Sequence, residues 1–203
     1  ELITCAATHG FLPLFEHDSG IFSQIQTAVD AHVKHFGSHP KGMWLPECAY
    51  RPKEVKDGKV RESIDYWLHN SGIEYFFVDS HGILTAELLE RNNEIGLDTR
   101  FGYALETGVN VFGRNKKTSR QVWDAKMGYP GDPFYREFHK KDPQSGLHYW
   151  RITGKEIEKN QKELYDPNKA RERGLSHASH FLSVLKEELN DFFQEHKVQG
   201  IIV

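Results

Sequence analysis

Gly42-Met43-Trp44-Leu45-Pro46-Glu47 is a short apolar run that stops on a proline and delivers a carboxylate into whatever follows. An apolar run of this length, closed by a residue that cannot continue a ladder, reads as a buried strand, and Glu47 then stands at its C-terminal end. The same grammar appears upstream. Leu2 to Ala7 is apolar and β-branched and ends in Thr8-His9-Gly10, so a second strand delivers His9, with Phe11 to Phe15 extending the loop. Ser19 is placed to cap a helix from Gly20 to Phe36, with Phe22, Ile25, Val29, Val33 and Phe36 at helical spacing and Gly37 closing it. Downstream, a helix from Val60 to Ser71 ends at Gly72 before a strand from Ile73 to Val78, which closes on Asp79-Ser80. Strands alternating with amphipathic helices predict an α/β fold on a parallel sheet, and such sheets collect their functional groups at strand C-terminal ends. His9, Glu47 and Asp79 all occupy that rim.

The stretch from Ile83 to Tyr165 breaks the alternation. Gly108 to Gly113 resembles a strand, Ser119 to Lys126 a short helix, and Gly128 to Asp142 a loop rich in aromatic, Gly and Pro residues. We read residues 83–165 as an insertion over the site. A long helix from Leu175 to Lys197 carries Phe181, Leu182, Leu185, Leu189, Phe192 and Phe193 on one side. Gly200-Ile201-Ile202-Val203 then begins another strand, so the natural protein is expected to continue.

Bulk properties narrow the function classes. The 203 residues are 38% apolar and 12% aromatic, which suits a globular core, and no run approaches the roughly 18 apolar residues of a membrane helix. The net charge of −3, with acidic and basic residues interspersed, leaves no electrostatic footprint for nucleic acid, and Lys53 to Arg61 reads as a mixed-charge loop. Cys5 and Cys48 are too few for a disulfide framework and are read as two thiols, which fits a reducing cytoplasm. No signal peptide is visible at the first residues. Twelve histidines are present, none in a zinc spacing, so neither a metal nor another cofactor is expected.

Glu47 sits among aromatics, with Pro46 fixing the backbone before it and Arg51-Pro52 following. Trp and Tyr faces suit the C–H surface of a pyranose, while a glutamate can attack an anomeric carbon or protonate a glycosidic oxygen. A glutamate at a strand end also commonly pairs with an arginine or caps a helix, and a strand-end histidine is often a buried, satisfied residue. Trp44, Tyr103, Phe134 and Tyr135 are candidates for stacking on sugar or for excluding water; each also suits an ordinary core. Asp79 and Arg51 are candidates for orienting Glu47 or the substrate, and a strand-end hydrogen bond explains Asp79 equally well.

Trp44-Leu45-Pro46-Glu47-Cys48-Ala49-Tyr50 resembles the nucleophile motif of glycoside hydrolase family 57, especially its 1,4-α-glucan branching enzymes. Thr8-His9-Gly10 is similar to the family's preceding region, and Gly128-Tyr129-Pro130-Gly131-Asp132-Pro133-Phe134-Tyr135 to a loop of the branching group, continued by Tyr149-Trp150-Arg151-Ile152-Thr153-Gly154. The resemblance spans residues 1–203. It implies an incomplete (β/α)7 barrel with an aromatic-rich insertion, acting on α-1,4-glucan through a retaining mechanism. Glu47 is then the nucleophile that forms a glucosyl-enzyme intermediate, and a 6-hydroxyl intercepts it to give an α-1,6 branch. His9 then binds sugar hydroxyls beside the reacting ring, while Trp44, Cys48, Tyr103, Tyr129, Phe134 and Tyr135 are further candidates for contact with the sugar, with Phe134 standing where relatives commonly carry a tryptophan. The family's acid/base aspartate is expected just past Val203, and the family's N-terminal His-containing motif before Glu1, so the chain alone is expected to have little turnover. A 4-α-glucanotransferase or an amylase-type hydrolase on the same barrel stays open, as does a non-catalytic glucan-binding module.

Overall fold

The computed structural model describes residues 2–87, 96–154 and 156–203. The chain divides into a first unit, residues 1–115 with 200–203, and a second, residues 116–199.

The first unit is built on β1 (Thr4–Cys5), β2 (Gly42–Trp44), β5 (Tyr75–Val78), β6 (Gly102–Ala104) and β7 (Asn110–Gly113), laid out in the order β1-β2-β5-β7-β6. β1, β2, β5 and β7 run parallel, with Met43 beside Phe76 and Phe76 beside Val111. β6 runs antiparallel to β7. The expected all-parallel sheet is therefore a mixed one, and the reason lies in the connection. Residues 105–109 fold back through Leu105 N–H to Val109 O and Gly108 N–H to Leu105 O, a link far too short for the crossover that a parallel neighbour needs. Gly108, at φ 84°, takes the left-handed position in that turn.

Met43, Phe76 and Val111 project from one face of the sheet onto Ile21, Ile25, Ile64 and Leu68 of the helices α1 (Asp18–Phe36) and α2 (Ile64–Asn70), making one core. α1 buries Ile21, Ile25, Ala28, Val29 and His32, so its inward stripe is turned from the expected one and Phe22, Val33 and Phe36 face outward. Its N-cap is His17, and Ser19 lies inside the helix; Gly37 closes it in the left-handed conformation, as expected. α2 is shorter than expected, because Ser63 caps it and accepts from Tyr66 N–H. Val60 belongs instead to a hairpin of β3 (Glu54–Lys56) and β4 (Lys59–Arg61), turned at Asp57-Gly58 with φ 53° and 72°. Asp-Gly with both residues at positive φ matches the two-residue hairpin turn whose twist suits flanking strands. Residues 53–61 are thus a hairpin rather than a plain loop. α3 (Ser80–Leu84) follows β5 directly. The opposite face of the sheet carries Trp44, Phe77 and Phe112 in one row, their rings about 6 Å apart. Residues 200–203 form no strand of this sheet, and dock through Ile201 N–H to Arg100 O and Asn115 N–H to Val203 O.

The second unit comprises α4 (Lys116–Trp123), a loop with a 3-10 turn at Tyr129–Gly131, and the 30-residue α5 (Pro167–His196). α5 starts earlier than expected: Asp166 caps it, accepting from the N–H groups of Asn168 and Lys169, and Pro167 occupies the first helical position. β6 and β7, within the stretch read as an insertion, belong to the first unit's sheet, and the remainder from Lys116 on groups with α5.

Candidate active site

Parallel strands β1 and β2 are neighbours, so their C-terminal ends release two loops side by side. The first loop turns at once, with His9 N–H bonding Ala6 O, and holds His9 at φ 55°. The second turns through Pro46–Cys48, closed by Cys48 N–H to Leu45 O, with Glu47 at φ 58° and Cys48 at φ 51°. Left-handed conformations are uncommon outside glycine, cost of order 1–3 kcal/mol each, and gather where function requires them. Here three of them aim two side chains at each other: His9 Nε2 lies 3.8 Å from Glu47 Oε1.

Glu47 is 73% exposed at its side chain, and the close contact it makes is with the His9 ring. The competing explanation, a strand-end carboxylate locked to an arginine, does not describe it. Arg51 is itself buried and engaged elsewhere, 3.2 Å from Asp18 and 3.8 Å from Glu54, and donating to the carbonyls of Pro52 and Glu62. On the other flank of His9, Nδ1 is 3.2 Å from Cys5 Sγ. Burial pushes the Cys5 thiol up, which keeps it protonated and able to donate to Nδ1. Both cysteines are free.

A cleft of about 1270 Å³ opens beside Glu47, walled by Cys48, Tyr50, Asp65, Asp79 and Tyr103 among others. Cys48 is buried, and its thiol too is pushed up by burial, partly offset by a hydrogen bond from Arg114. Asp79 caps α3, its Oδ1 accepting from Ser80 N–H, and its other oxygen lies 3.8 Å from His81. Tyr103 donates its hydroxyl to Asp98 O and accepts from Asp98 N–H, which fixes its ring in the wall. Trp44 stands apart from the wall, packed on Phe77 at the opposite sheet face.

Tyr129, Phe134 and Tyr135 belong to the second unit. The Tyr129 ring stacks on His177 at 4.3 Å and its hydroxyl meets His180 Nδ1 at 2.6 Å, while the Tyr135 hydroxyl meets His177 Nδ1 at 2.8 Å. Phe134 lies under two guanidinium groups, Arg151 at 5.4 Å and Arg173 at 5.9 Å.

Asp65 is a residue that sequence reasoning missed. This residue is 4% exposed, yet it borders the cleft and accepts from Tyr50 Oη and Thr107 Oγ1, each at 2.7 Å. Its two partners come from residues 15 and 42 positions away, so no local pattern announces it. Among the described residues, no group of three His, Cys, Asp or Glu side chains is arranged to hold a metal ion, and no helix is long and apolar enough to cross a membrane.

An exposed carboxylate and a histidine thus stand on adjoining parallel strand ends of an α/β sheet, beside an aromatic-walled cleft. The chain belongs to glycosyl hydrolase family 57, whose model matches residues 1–196. It is 46% identical to a 1,4-alpha-glucan branching enzyme of Thermococcus kodakarensis, an alignment covering 100% of this chain and 32% of the relative. The solved structure of that enzyme, in complex with glucose, superposes with a TM-score of 0.86 and is covered to 39%. A branching enzyme of Pyrococcus horikoshii is 44% identical with a TM-score of 0.87 and is covered to 37%; the alpha-amylase AmyC of Thermotoga maritima is 34% identical with a TM-score of 0.78 and is covered to 40%, and both alignments take in the whole of this chain. The chain spans about a third of the length of the curated relatives it matches.

Proposed function

We propose that this chain is part of a retaining enzyme that acts on α-1,4-linked glucans and forms α-1,6 branches, with Glu47 as its nucleophile. The observation that carries the reading is the left-handed turn at Pro46–Cys48, which presents an exposed Glu47 to the cleft with His9 3.8 Å away. In this reading the sheet is a segment of a (β/α)7 barrel. Glu47 attacks C1 of the donor, and His9, beside the carboxylate, binds a hydroxyl of the reacting ring. Tyr103 offers its face to the glucan. A retaining mechanism also needs a second carboxyl group roughly 5–5.5 Å from the nucleophile, to protonate the leaving oxygen and then activate the acceptor. That aspartate is contributed by sequence outside these residues. The names of the branching enzymes at 44–46% identity support transfer over hydrolysis. The likeness to an alpha-amylase supports the second reading, in which water takes the intermediate.

Glu47→Gln in the complete protein tests the proposal. Turnover of amylose is expected to fall by at least about a thousandfold, the scale on which a lost nucleophile acts, while glucan binding persists. Unaltered turnover would return Glu47 to a binding role and the chain to a glucan-binding module. Debranching the wild-type product with an α-1,6-specific hydrolase separates the two enzymatic readings: released short chains indicate branching, and reducing ends without new branches indicate hydrolysis.

A further inference from the structure

We infer that Asp65 is a positioning residue for the nucleophile, acting through Tyr50 to hold the left-handed turn that presents Glu47. The inference rests on Glu47 being the nucleophile and adds what keeps it in place. Glu47 and Cys48 are consecutive non-glycine residues at positive φ, a pairing that relaxes to the right-handed region unless both exits of the turn are fixed. The upstream exit is fixed by packing: Leu45 is wholly buried and Pro46 is ring-locked and buried with it. The downstream exit is Tyr50. Its ring stacks on Phe76 of the central strand at 5.5 Å, and its hydroxyl ends on Asp65 at 2.7 Å. The second Asp65 oxygen accepts from Thr107 in the β6–β7 turn, so three separated segments meet on one carboxylate.

Burying a carboxylate is costly unless hydrogen bonds replace its water. At 4% exposure Asp65 meets that cost with two neutral hydroxyls rather than with a cation, and Arg51 nearby is taken up by Asp18. Burial, and then the Asp65 carboxylate, push the Tyr50 phenol above its ordinary range, so it remains a donor at every working pH. The arrangement is a rigid peg under the turn. Without the peg the Glu47 carboxylate swings from the line of attack, and a displacement near 1 Å is enough to cost up to about a hundredfold in rate.

The test is steady-state kinetics of the complete protein carrying Tyr50→Phe, Asp65→Ala or Asp65→Asn, measured well below each variant's unfolding midpoint. Alongside, the rate at which a fluorinated glucosyl fluoride labels the peptide containing Glu47 is followed by mass spectrometry. Tyr50→Phe keeps the stack on Phe76, and Asp65→Asn keeps an acceptor for Tyr50 and meets Thr107 with an amide donor, the Thr107 hydroxyl turning from donor to acceptor. We expect Tyr50→Phe and Asp65→Ala each to lower kcat and the labelling rate about tenfold with KM within about twofold, and Asp65→Asn to restore most of both. Retention of wild-type kcat and labelling by Tyr50→Phe overturns the inference whatever happens to Tm. So does a loss in Asp65→Asn as deep as in Asp65→Ala, which would mean that charge rather than anchoring is needed. Failure of the wild-type protein to label at Glu47 overturns the nucleophile itself, a result distinct from either.

Discussion

Glu47 and Arg51 lie four positions apart in one motif and do different work, and the difference is set by burial. Arg51 is buried between Asp18 and Glu54, with Arg61 completing the group through Glu54 at 3.0 Å. It ties the N-terminus of α1 to the hairpin of β3 and β4. Arg61 stays within reach of both acids, 3.7 Å from Asp18 and 3.0 Å from Glu54, so neither charge is stranded outright and Arg51→Ala is expected to cost about 1–3 kcal/mol in chemical unfolding. Arg51→Lys should recover only part of that, since an ammonium cannot serve Asp18, Glu54 and two carbonyls in the same fork geometry. A loss below about 1 kcal/mol, the range of an exposed pair, would contradict this account. The sequence placed Arg51 beside Glu47 and suggested that it serves the carboxylate. The direction in which a side chain leaves a loop is a tertiary property, and here the buried Asp18 decides it. Cys5 illustrates the reverse: nothing in its surroundings in the sequence ties it to His9, yet the turn at Thr8-His9-Gly10 folds the ring back onto its thiol.

At the scale of elements, α5 holds the aromatic loop of the second unit through two histidines one turn apart, and that attachment depends on pH. Burial would push the Asp132 carboxyl up, but the Phe134 N–H, Arg173 and His177 outweigh it and hold it below the ordinary range. Burial also presses His177 below its usual value, against the pull of Asp132, with Arg173 and His180 adding to the depression. A histidine depressed in the folded state takes its proton first in the unfolded state, so acidification below about pH 6.5 favours unfolding. A depressed carboxylate contributes stability above its unfolded value near pH 3.9 and loses it as pH falls through the folded one. Both signs agree. We expect the thermal midpoint of the second unit's transition to fall between pH 7.5 and 5.5, and His177→Gln to flatten that part while leaving the loss below pH 4. Parallel curves for wild type and variant would remove His177 from the effect. Tyr129 and Tyr135 were legible in the sequence as aromatics in a Gly- and Pro-rich loop; their pairing with His180 and His177 was not, because the partners lie 51 and 42 positions away and only folding brings them together.

For the molecule as a whole, what the sequence made legible was what periodicity encodes: strands β1, β2, β5 and β7, helices α1 and α5, and the two strand ends that bring His9 to Glu47. The antiparallel β6 was hidden, because a three-residue strand after an irregular stretch carries no pattern of its own. Asp65 was hidden because its meaning comes from groups that folding gathers. These residues also bear on where the second carboxyl group of a retaining site comes from. Of the aspartates in the cleft wall, Asp65 is held by two hydroxyls, while Asp79 accepts from Ser80 N–H at the start of α3 through one oxygen. We propose that the acid/base comes from another part of the protein, since this chain covers about a third of its relatives' length. A general acid or base accelerates its step by roughly 10²–10⁴-fold. The 203-residue chain prepared alone is accordingly expected to turn over amylose at least about a hundredfold more slowly than the complete protein. A glucosyl donor with a fluoride leaving group, which needs no protonation to depart, should narrow that gap for the first step, seen as a covalent adduct on Glu47. Equal amylose turnover by the two proteins would place the second carboxyl group within these residues after all and would make Asp79 the first to replace, as Asp79→Asn.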